Sequence, residues 1–523
     1  MKKGFPKIVA AIDVGSNFLR MMIAEISKEG KIVPLDDVFK PTRIGRDTFA
    51  SGEISLQSVR ELCDTLKGFR RLMSDYHIKE YRALATSGIR EAYNRLYVLE
   101  QIRVRANLDV EVINNAEERF IMLKALRDGL SDVPQMRQEG ILVVNIGMGA
   151  LEASIYNQGA LQFSEHIKAG SLRLREILAD LERSTLDFPS IVEEFVESKI
   201  YLLEPVIKPM NIKNVIGLGG ELNSILSLCQ QEQLSKEEKY LPAQALHRLY
   251  TKIRSMTIEQ LIAGYNLHRN EAEILLPSLI IFKRFLEFTA AKGIHVPMIA
   301  LRHGILADMV DDWFDTQRKY DFAGDIISSV WYIGRKFKLD ENHAAHVANL
   351  ALSIFDQTRM FHKLGVRERM YLQVAAILHD IGKFINLTQH EKHASNIIRY
   401  QEIIGLSKRD LNIIANISRY HSEKVPTFND SRFRILKDDD KTMVSKLAAI
   451  LKLADAMDIT HKQKIKMVQV SNSRGRLEFH FFNSEEVLLE AWNFESHCDF
   501  FEEVMGIRPL IKYNEAKRCP LLL

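Results

Sequence analysis

Short apolar runs punctuated by turn residues dominate the first three hundred positions. Ile8 to Ile26 (IVAAIDVGSNFLRMMIAEI) reads as two β runs around a Gly-Ser-Asn turn. A charged helical stretch, Ser58 to Tyr76, is followed by a short strand at Tyr81 to Ala85 and a helix starting near Ser87. Ile141 to Tyr156 (ILVVNIGMGALEASIY) repeats the order strand, Gly-rich turn, strand. With an offset of 132 residues, Asp13 falls on Asn145, Gly15 on Gly147 and Leu19 on Leu151, so one α/β unit is present twice. Two such units facing each other enclose a cleft, where ligands usually sit.

From about Asp321 the apolar period lengthens to that of an amphipathic helix, through Asp325 to Lys338, Ala344 to Thr358, Arg367 to His379 and Leu406 to His421. Seven of the 16 histidines lie between positions 343 and 421, a local excess that asks for a chemical reason. Lys466 to Phe482 reads as a hairpin around Ser473-Arg474-Gly475, ahead of a small α/β tail. The predicted segments are 1–130 and 131–312 for the duplicated lobes, 320–462 for a helical domain and 463–523 for a cap.

Charge and cysteine content narrow the picture. Among 523 residues, 71 Lys and Arg against 68 Asp and Glu leave +3, which gives no whole-protein attraction for nucleic acid or an anionic membrane. No specific nucleic-acid partner is expected. Cys63, Cys229, Cys498 and Cys519 form no CxxC pair, so neither a zinc site nor a disulfide framework is expected. The most apolar stretch, Glu273 to Phe282, is broken by Pro277 and too short to span a bilayer. Met1 to Pro6 shows no signal-peptide core. The expectation is a reduced, cytoplasmic protein without a membrane span.

Two sets of residues carry candidate chemistry. A tight Gly turn between strands offers backbone N–H groups to phosphate oxygens, and an acid at its edge can hold a divalent cation. Asp13-Val14-Gly15-Ser16-Asn17 has that form, with Arg20 nearby to neutralise phosphate. Gly147 and Gly149 lie in the second copy, and Gly219-Gly220 follow a third strand. In the helical part, His379-Asp380 closes an apolar helix, where imidazole and carboxylate can share one cation. His343 opens another apolar helix. Asp455 interrupts a third, and an acid on an apolar face is costly unless paired or metal-bound. His346, His362 and His390 read as exposed or locally satisfied.

Asp13-Val14-Gly15-Ser16-Asn17…Arg20 resembles the first phosphate loop of the exopolyphosphatase/guanosine-pentaphosphate phosphatase family, within the sugar kinase–Hsp70–actin superfamily. Thr42-Arg43-Ile44-Gly45, Ala85 to Asn94 (ATSGIREAYN), Gly170-Ser171-Leu172-Arg173-Leu174 and Leu301-Arg302-His303-Gly304 resemble further motifs of that family, in order. The resemblance implies two actin-like lobes and hydrolysis of a terminal phosphoanhydride bond of inorganic polyphosphate or guanosine pentaphosphate. It also implies a divalent metal, Mg or Mn, in the cleft. Glu118 of Ile113 to Glu118 (INNAEE) would orient or deprotonate the attacking water, with Glu117 second, and Asp13 and Glu152 would lie around the metal. Arg43 and Arg90 join the phosphate-binding set by the same match. The second loop departs from the family's Asp-Ile-Gly-Gly-Gly-Ser-x-Glu: Asn145 replaces an acid, Met148 a glycine and Ala150 a serine, while Glu152 is retained. Phe18 and Asn114-Asn115 depart as well.

The order His343…His379-Asp380…Asp455 resembles the ligand set of HD-domain phosphohydrolases. By that resemblance the fold is α/β lobes followed by an all-α HD-type domain and a small α/β tail. The helical domain would hold one or two divalent metals, with His393 and His421 as the extra ligands and Lys383 neutralising phosphate. Relatives of this kind often pair, which implies a homodimer. Two rival readings stay open: catalysis in the HD-type domain alone, acting on a nucleotide or phosphorylated signal while the cleft senses a ligand, and a non-catalytic polyphosphate- or alarmone-binding protein.

Overall fold

Strand β1 (Lys7–Val14) is apolar on both faces and buried along most of its length, as a central strand requires. It pairs antiparallel with β2 (Phe18–Ile26) and parallel with β4 (Glu80–Ala85); β3 (Ile32–Pro41) and the short β5 (Glu111–Val112) complete the order β3-β2-β1-β4-β5. A second sheet follows from β6 (Ile141–Ile146), β7 (Leu151–Asn157), β8 (Ala160–Ile167), β9 (Asn214–Leu218), β10 (Tyr240–Pro242) and β11 (Gly293–His295), in the order β10-β11-β9-β6-β7-β8. Here again the first strand pairs antiparallel with the second and parallel with the fourth. The repeat read from the sequence holds at the level of register: Asp13 faces Arg20 across β1 and β2, and Asn145 faces Glu152 across β6 and β7.

This computed structural model describes residues 4–129, 140–157, 160–185, 187–314, 317–473, 476–483 and 485–513. It divides into two compact units, Met1–Asp325 and Ile326–Leu523. The first contains both sheets, each flanked by helices, which is the two-lobed actin-like arrangement. One helix departs from the expected segments. Leu301–Trp313, assigned by sequence to the second lobe, packs on helix Asn115–Gly129 of the first, where Lys124 bonds Asp308 and lies 3.0 Å from Asp311.

Helices Glu341–Gln357, Val366–Leu378 and Lys408–Arg419 follow three of the predicted amphipathic periods and helix Gln317–Lys336 overlaps the fourth, while helices His390–Tyr400 and Asp438–Ala456 of the second unit lie outside those periods. Strands β12 (Ile465–Ser473) and β13 (Arg476–Asn483) form the predicted hairpin, with β14 (Pro509–Tyr513) parallel to β13. Arg474 and Gly475 of its turn lie outside the described residues. The cap expected at 463–523 is not a separate body. Phe479, Phe481, Phe494 and Phe501 are buried in one continuous core with Leu372, Ile414 and Ala454, because the hairpin alone has too little apolar surface to enclose. Among the described residues no helix is long and apolar enough to cross a membrane. Cys63, Cys229 and Cys498 are free and buried, and Cys519 lies outside the described residues.

Candidate functional site

Both Gly loops open onto one cavity of about 450 Å³ in the first unit. It is lined by Asp13, Gly15, Ser16, Asn17, Arg20, Arg90, Glu118, Gly147, Gly149, Glu152, Gly219 and Gly220, which the sequence had singled out. Arg43 is the exception. It is exposed, precedes helix Ile44–Ser51 and lies outside the lining, its charge felt by Glu176 instead. The motif around Arg43 serves the loop through glycine: Gly45 N–H donates to Ser16 O at 2.8 Å, and a Cβ at Gly45 would lie 2.5 Å from Ser16 Cβ. Gly170 supports the second loop in the same way, since a Cβ there would collide with Ala150 N and Gly147 O.

The two adjacent glutamates part company. Glu117 accepts the Asn114 N–H at 2.9 Å and so caps its own helix. Glu118 reaches the cavity and takes a 2.9 Å hydrogen bond from Arg90 Nη1. Burial pushes the Glu118 carboxyl up and the Arg90 charge pulls it back, with Glu152 pushing again; the net direction is upward. Asp13 is likewise raised by burial, against the opposing charges of Arg20 and Arg302. Burial alone would raise Glu152, but the hydrogen bond to His166 and the charge of Arg119 carry it below its usual range.

Both Glu152 oxygens are engaged. Asn145 Nδ2 donates to Oε2 at 3.2 Å, and His166 Nδ1 lies 3.3 Å from Oε1. Among the described residues no group of three His, Cys, Asp or Glu suited to a metal lies in this cavity; the three such groups are all in the second unit. The cleft therefore offers no all-protein cage. Asp13 lines the cavity beside the first loop, a single carboxylate of the kind that holds Mg²⁺ together with non-protein oxygens. Asn17 lines the cavity, and its Nδ2 is buried without an acceptor.

Arg173 ties the lobes beside the loops. Its Nη2 lies 2.8 Å from each oxygen of Glu91 and its Nε donates to Gly149 O at 2.6 Å, which explains both the Gly170–Leu174 and the Ala85–Asn94 motifs. The lining residues to which the sequence gives no role include Arg302, His166 and Glu221, which accepts from Ser171 Oγ at 2.7 Å. Arg302 sat inside a motif already noted. His166 had no local signal, because it meets Glu152 only through the β7–β8 register.

In the second unit, His343, His379 and Asp455 converge with Asp380. The Nε2 atoms of His343 and His379 are 3.2 Å apart, and Asp455 Oδ1 lies 3.3 and 3.4 Å from them. Asp380 sits between two groups of nitrogens: Oδ2 is 3.7 and 3.6 Å from His343 and His379, and Oδ1 is 3.3 and 3.7 Å from His390 and His421. Outside this centre each Nδ1 has an oxygen neighbour: Asp458 for His343 at 2.8 Å, Ala376 O for His379 at 2.7 Å and Ser418 O for His421 at 2.6 Å. That pattern aims the Nε2 lone pairs inward, the arrangement metal-ligating histidines use. Burial opposes charge on Asp455 and Asp380, yet the surrounding imidazoles hold both carboxyls far below their usual range. The donor set fits one or two divalent cations.

The sequence assignment needs one exchange. His390, read as bland, supplies Nε2 3.1 Å from His421 Nε2, while His393 belongs to none of the metal-suited groups. His390 is the first residue of its helix, where a preceding tight turn (Ile381–Phe384) swings the chain over Asp380. Lys383 bonds Asp380 from that turn. Asp458, fully buried behind His343, was also missed, though it follows Asp455 by one helical turn.

Duplicated sheets, a loop-lined cavity between them and a second, histidine-rich unit together define a two-lobed α/β protein with an appended helical unit. A model of the Ppx/GppA phosphatase family matches residues 22–312, and one of Ppx/GppA phosphatase domain III matches residues 327–497. The chain belongs to the Ppx/GppA phosphatase family. It is similar to a guanosine-5'-triphosphate,3'-diphosphate pyrophosphatase of Photobacterium profundum, with 23% identity over 434 residues, 80% of this chain and 81% of that one. It is also similar to a bifunctional 3-dehydroquinate synthase/phosphatase of Fusobacterium nucleatum, at 22% over 294 residues, 53% of this chain and 43% of that one. Among solved structures, an exopolyphosphatase from Cytophaga hutchinsonii superposes with a TM-score of 0.53 at 21% identity, covering 58% of this chain and 98% of that one.

Proposed function

We propose that the chain is a phosphoanhydride hydrolase that removes the terminal phosphate from inorganic polyphosphate or guanosine pentaphosphate in the cleft of the first unit. The observation that carries this reading is Glu118, buried in the loop-lined cavity and oriented by Arg90. Its raised carboxyl moves the group toward the range in which a general base works. Glu118 takes a proton from water as the water oxygen bonds to the terminal phosphorus. The P–O bond to the bridging oxygen breaks, and the electron pair leaves on the shortened chain. Arg20 and Arg302 face the accumulating charge, and the Asn17 amide supplies a further donor. A divalent cation held by Asp13 would add neutralisation of phosphate oxygens. The function of the relatives supports the substrate class.

A second reading has its own observation. The gathering of His343, His379, Asp380 and Asp455, with His390 and His421 beyond Asp380, suits an HD-type metal centre that activates water for phosphoester or anhydride hydrolysis. In the first reading this centre supports binding or stability; in the second it is the site of turnover.

The test is phosphate release from long-chain polyphosphate and from guanosine pentaphosphate, with product lengths resolved. Chains shortened one unit at a time, or conversion to the tetraphosphate, are expected. Failure to release phosphate from either substrate with Mg²⁺ or Mn²⁺ would end the proposal.

A further inference from the structure

Three side chains of the cleft stand in one cross-strand row of the first sheet. Asp13 of β1 is opposite Arg20 of β2, and Arg20 is opposite Phe39 of β3. Residues directly opposite each other in a ladder share one face of the sheet, and all three line the cavity. Going outward the row reads carboxylate, guanidinium, aromatic ring, with neighbouring strands about 5 Å apart. Phe18, two residues before Arg20 on the same strand, shares that face and also lines the cavity. The Arg20 guanidinium lies over the Phe18 ring, 4.9 Å from its centroid. The Phe18 and Phe39 rings meet edge to face, their centroids 6.0 Å apart.

The two rings differ in exposure. Phe18 is buried, whereas Phe39 is 66% exposed and leaves most of its ring open at the rim of the cavity. Met298 is half-exposed and lines the same cavity. The segment that carries it is tied to β3, because Arg302 Nη2 donates to Asp37 Oδ2 at 2.7 Å. One exposed phenylalanine on a protein surface needs no explanation. One that ends the row of Asp13 and Arg20 does. Inorganic polyphosphate is charged at every unit and has no apolar surface, so it gains nothing from Phe39 or Met298. A nucleoside carrying a phosphate chain offers both chemistries at once: oxygens for the loops and Arg20, and a flat π face for an aromatic ring.

We propose that Phe39, backed by Phe18 and joined by Met298 along the cavity lining, is a stacking platform for the base of a nucleoside polyphosphate. It gives the cleft a preference for such ligands over inorganic polyphosphate. The proposal rests on the cleft of the first unit being the phosphate site. Phe39 is two strand spacings from Asp13, on the order of 10 Å. That order places the terminal phosphate beside Asp13, the chain along Arg20 and the base on Phe39.

The experiment compares guanosine triphosphate with ribose 5-triphosphate, which carries the same phosphate chain and lacks only the base. Affinities are measured by calorimetric titration, with Mg²⁺, of the full-length Glu118→Gln protein, in which turnover is suppressed. Guanosine triphosphate is expected to bind about 5- to 100-fold more tightly, the scale of one base stacked on an aromatic side chain. Adding Phe39→Ala should erase that difference while leaving ribose 5-triphosphate within about twofold of its former affinity, and Phe39→Trp should restore it. Truncation of so exposed a side chain has little effect on folding. With Glu118 intact, Phe39→Ala should raise KM for guanosine pentaphosphate and leave kcat, and the KM for tripolyphosphate, unaltered. That split marks binding made equally in the ground and transition states. Equal affinities for the two triphosphates, or a difference that survives Phe39→Ala, would overturn the platform and leave the cleft reading standing. Binding of neither ligand, with no phosphate released from guanosine pentaphosphate or tripolyphosphate, would overturn the cleft reading and the platform with it.

Discussion

The cavity of the first unit and the His–Asp centre of the second are both buried and both rich in titratable groups, yet they are prepared for opposite charges. In the cavity the carboxylates lean on donors: Glu118 on Arg90, and Glu152 on Asn145 and His166. Backbone loops and further arginines complete the wall, which suits the anionic substrate proposed above. In the second unit the donors point away, each Nδ1 toward an oxygen, and Nε2 lone pairs and carboxylate oxygens gather in the middle. That arrangement accepts a cation. Replacement of an acid by Asn145 fits this division, since its amide donates to Glu152 instead of repelling it.

The largest effect should come from Glu118→Gln. It keeps the shape and removes the base, so kcat on polyphosphate should fall by about 10²- to 10⁴-fold with KM little altered, measured by phosphate release. In the second unit, His379→Ala should remove bound metal outright, as read by elemental analysis. Asp458→Asn, which meets the centre through the far side of His343, should weaken metal affinity by roughly 10- to 100-fold. Breaking the bidentate Arg173–Glu91 pair with Arg173→Ala should loosen the lobes and raise KM by about tenfold, the scale of one charge-assisted contact. A fall in kcat with constant KM would instead give Arg173 a part in the chemistry.

The smallest effect concerns acid stability of the second unit. Burial, and then the charge of Lys452, push the His497 imidazole down from 6.5 to about 4. The folded protein keeps it neutral while the unfolded chain takes up a proton. Stability from this group is therefore full above pH 6.5 and is lost as pH falls toward about 4. The loss should be at most about 2 kcal/mol, allowing for partial exposure, and His497→Gln should remove it from a urea-denaturation series.

Much of the architecture was legible because it rests on periodicity. The duplicated unit was visible as an offset, and the register pairs Asp13–Arg20 and Asn145–Glu152 carry it into three dimensions. Motif glycines were legible as positions but not as reasons: Gly45 and Gly170 serve as close-packed supports beneath the loops. Arg43 misled because a motif match does not say which of its residues faces the ligand. His390 and His393 share a helix, and choosing between them needs the helix start and the turn before it, which no period reports. His166 and the merged cap depend on contacts between distant segments, the information a single sequence holds least openly.

The central claim is that turnover belongs to the cavity and cation binding to the second unit. Its most direct test is polyphosphate hydrolysis by Asp380→Asn beside the intact protein, with the metal content of each determined. The account predicts a protein that loses metal from the second unit and keeps its turnover. Loss of turnover as deep as that of Glu118→Gln, in a folded Asp380→Asn protein, would contradict it and move the chemistry to the His–Asp centre.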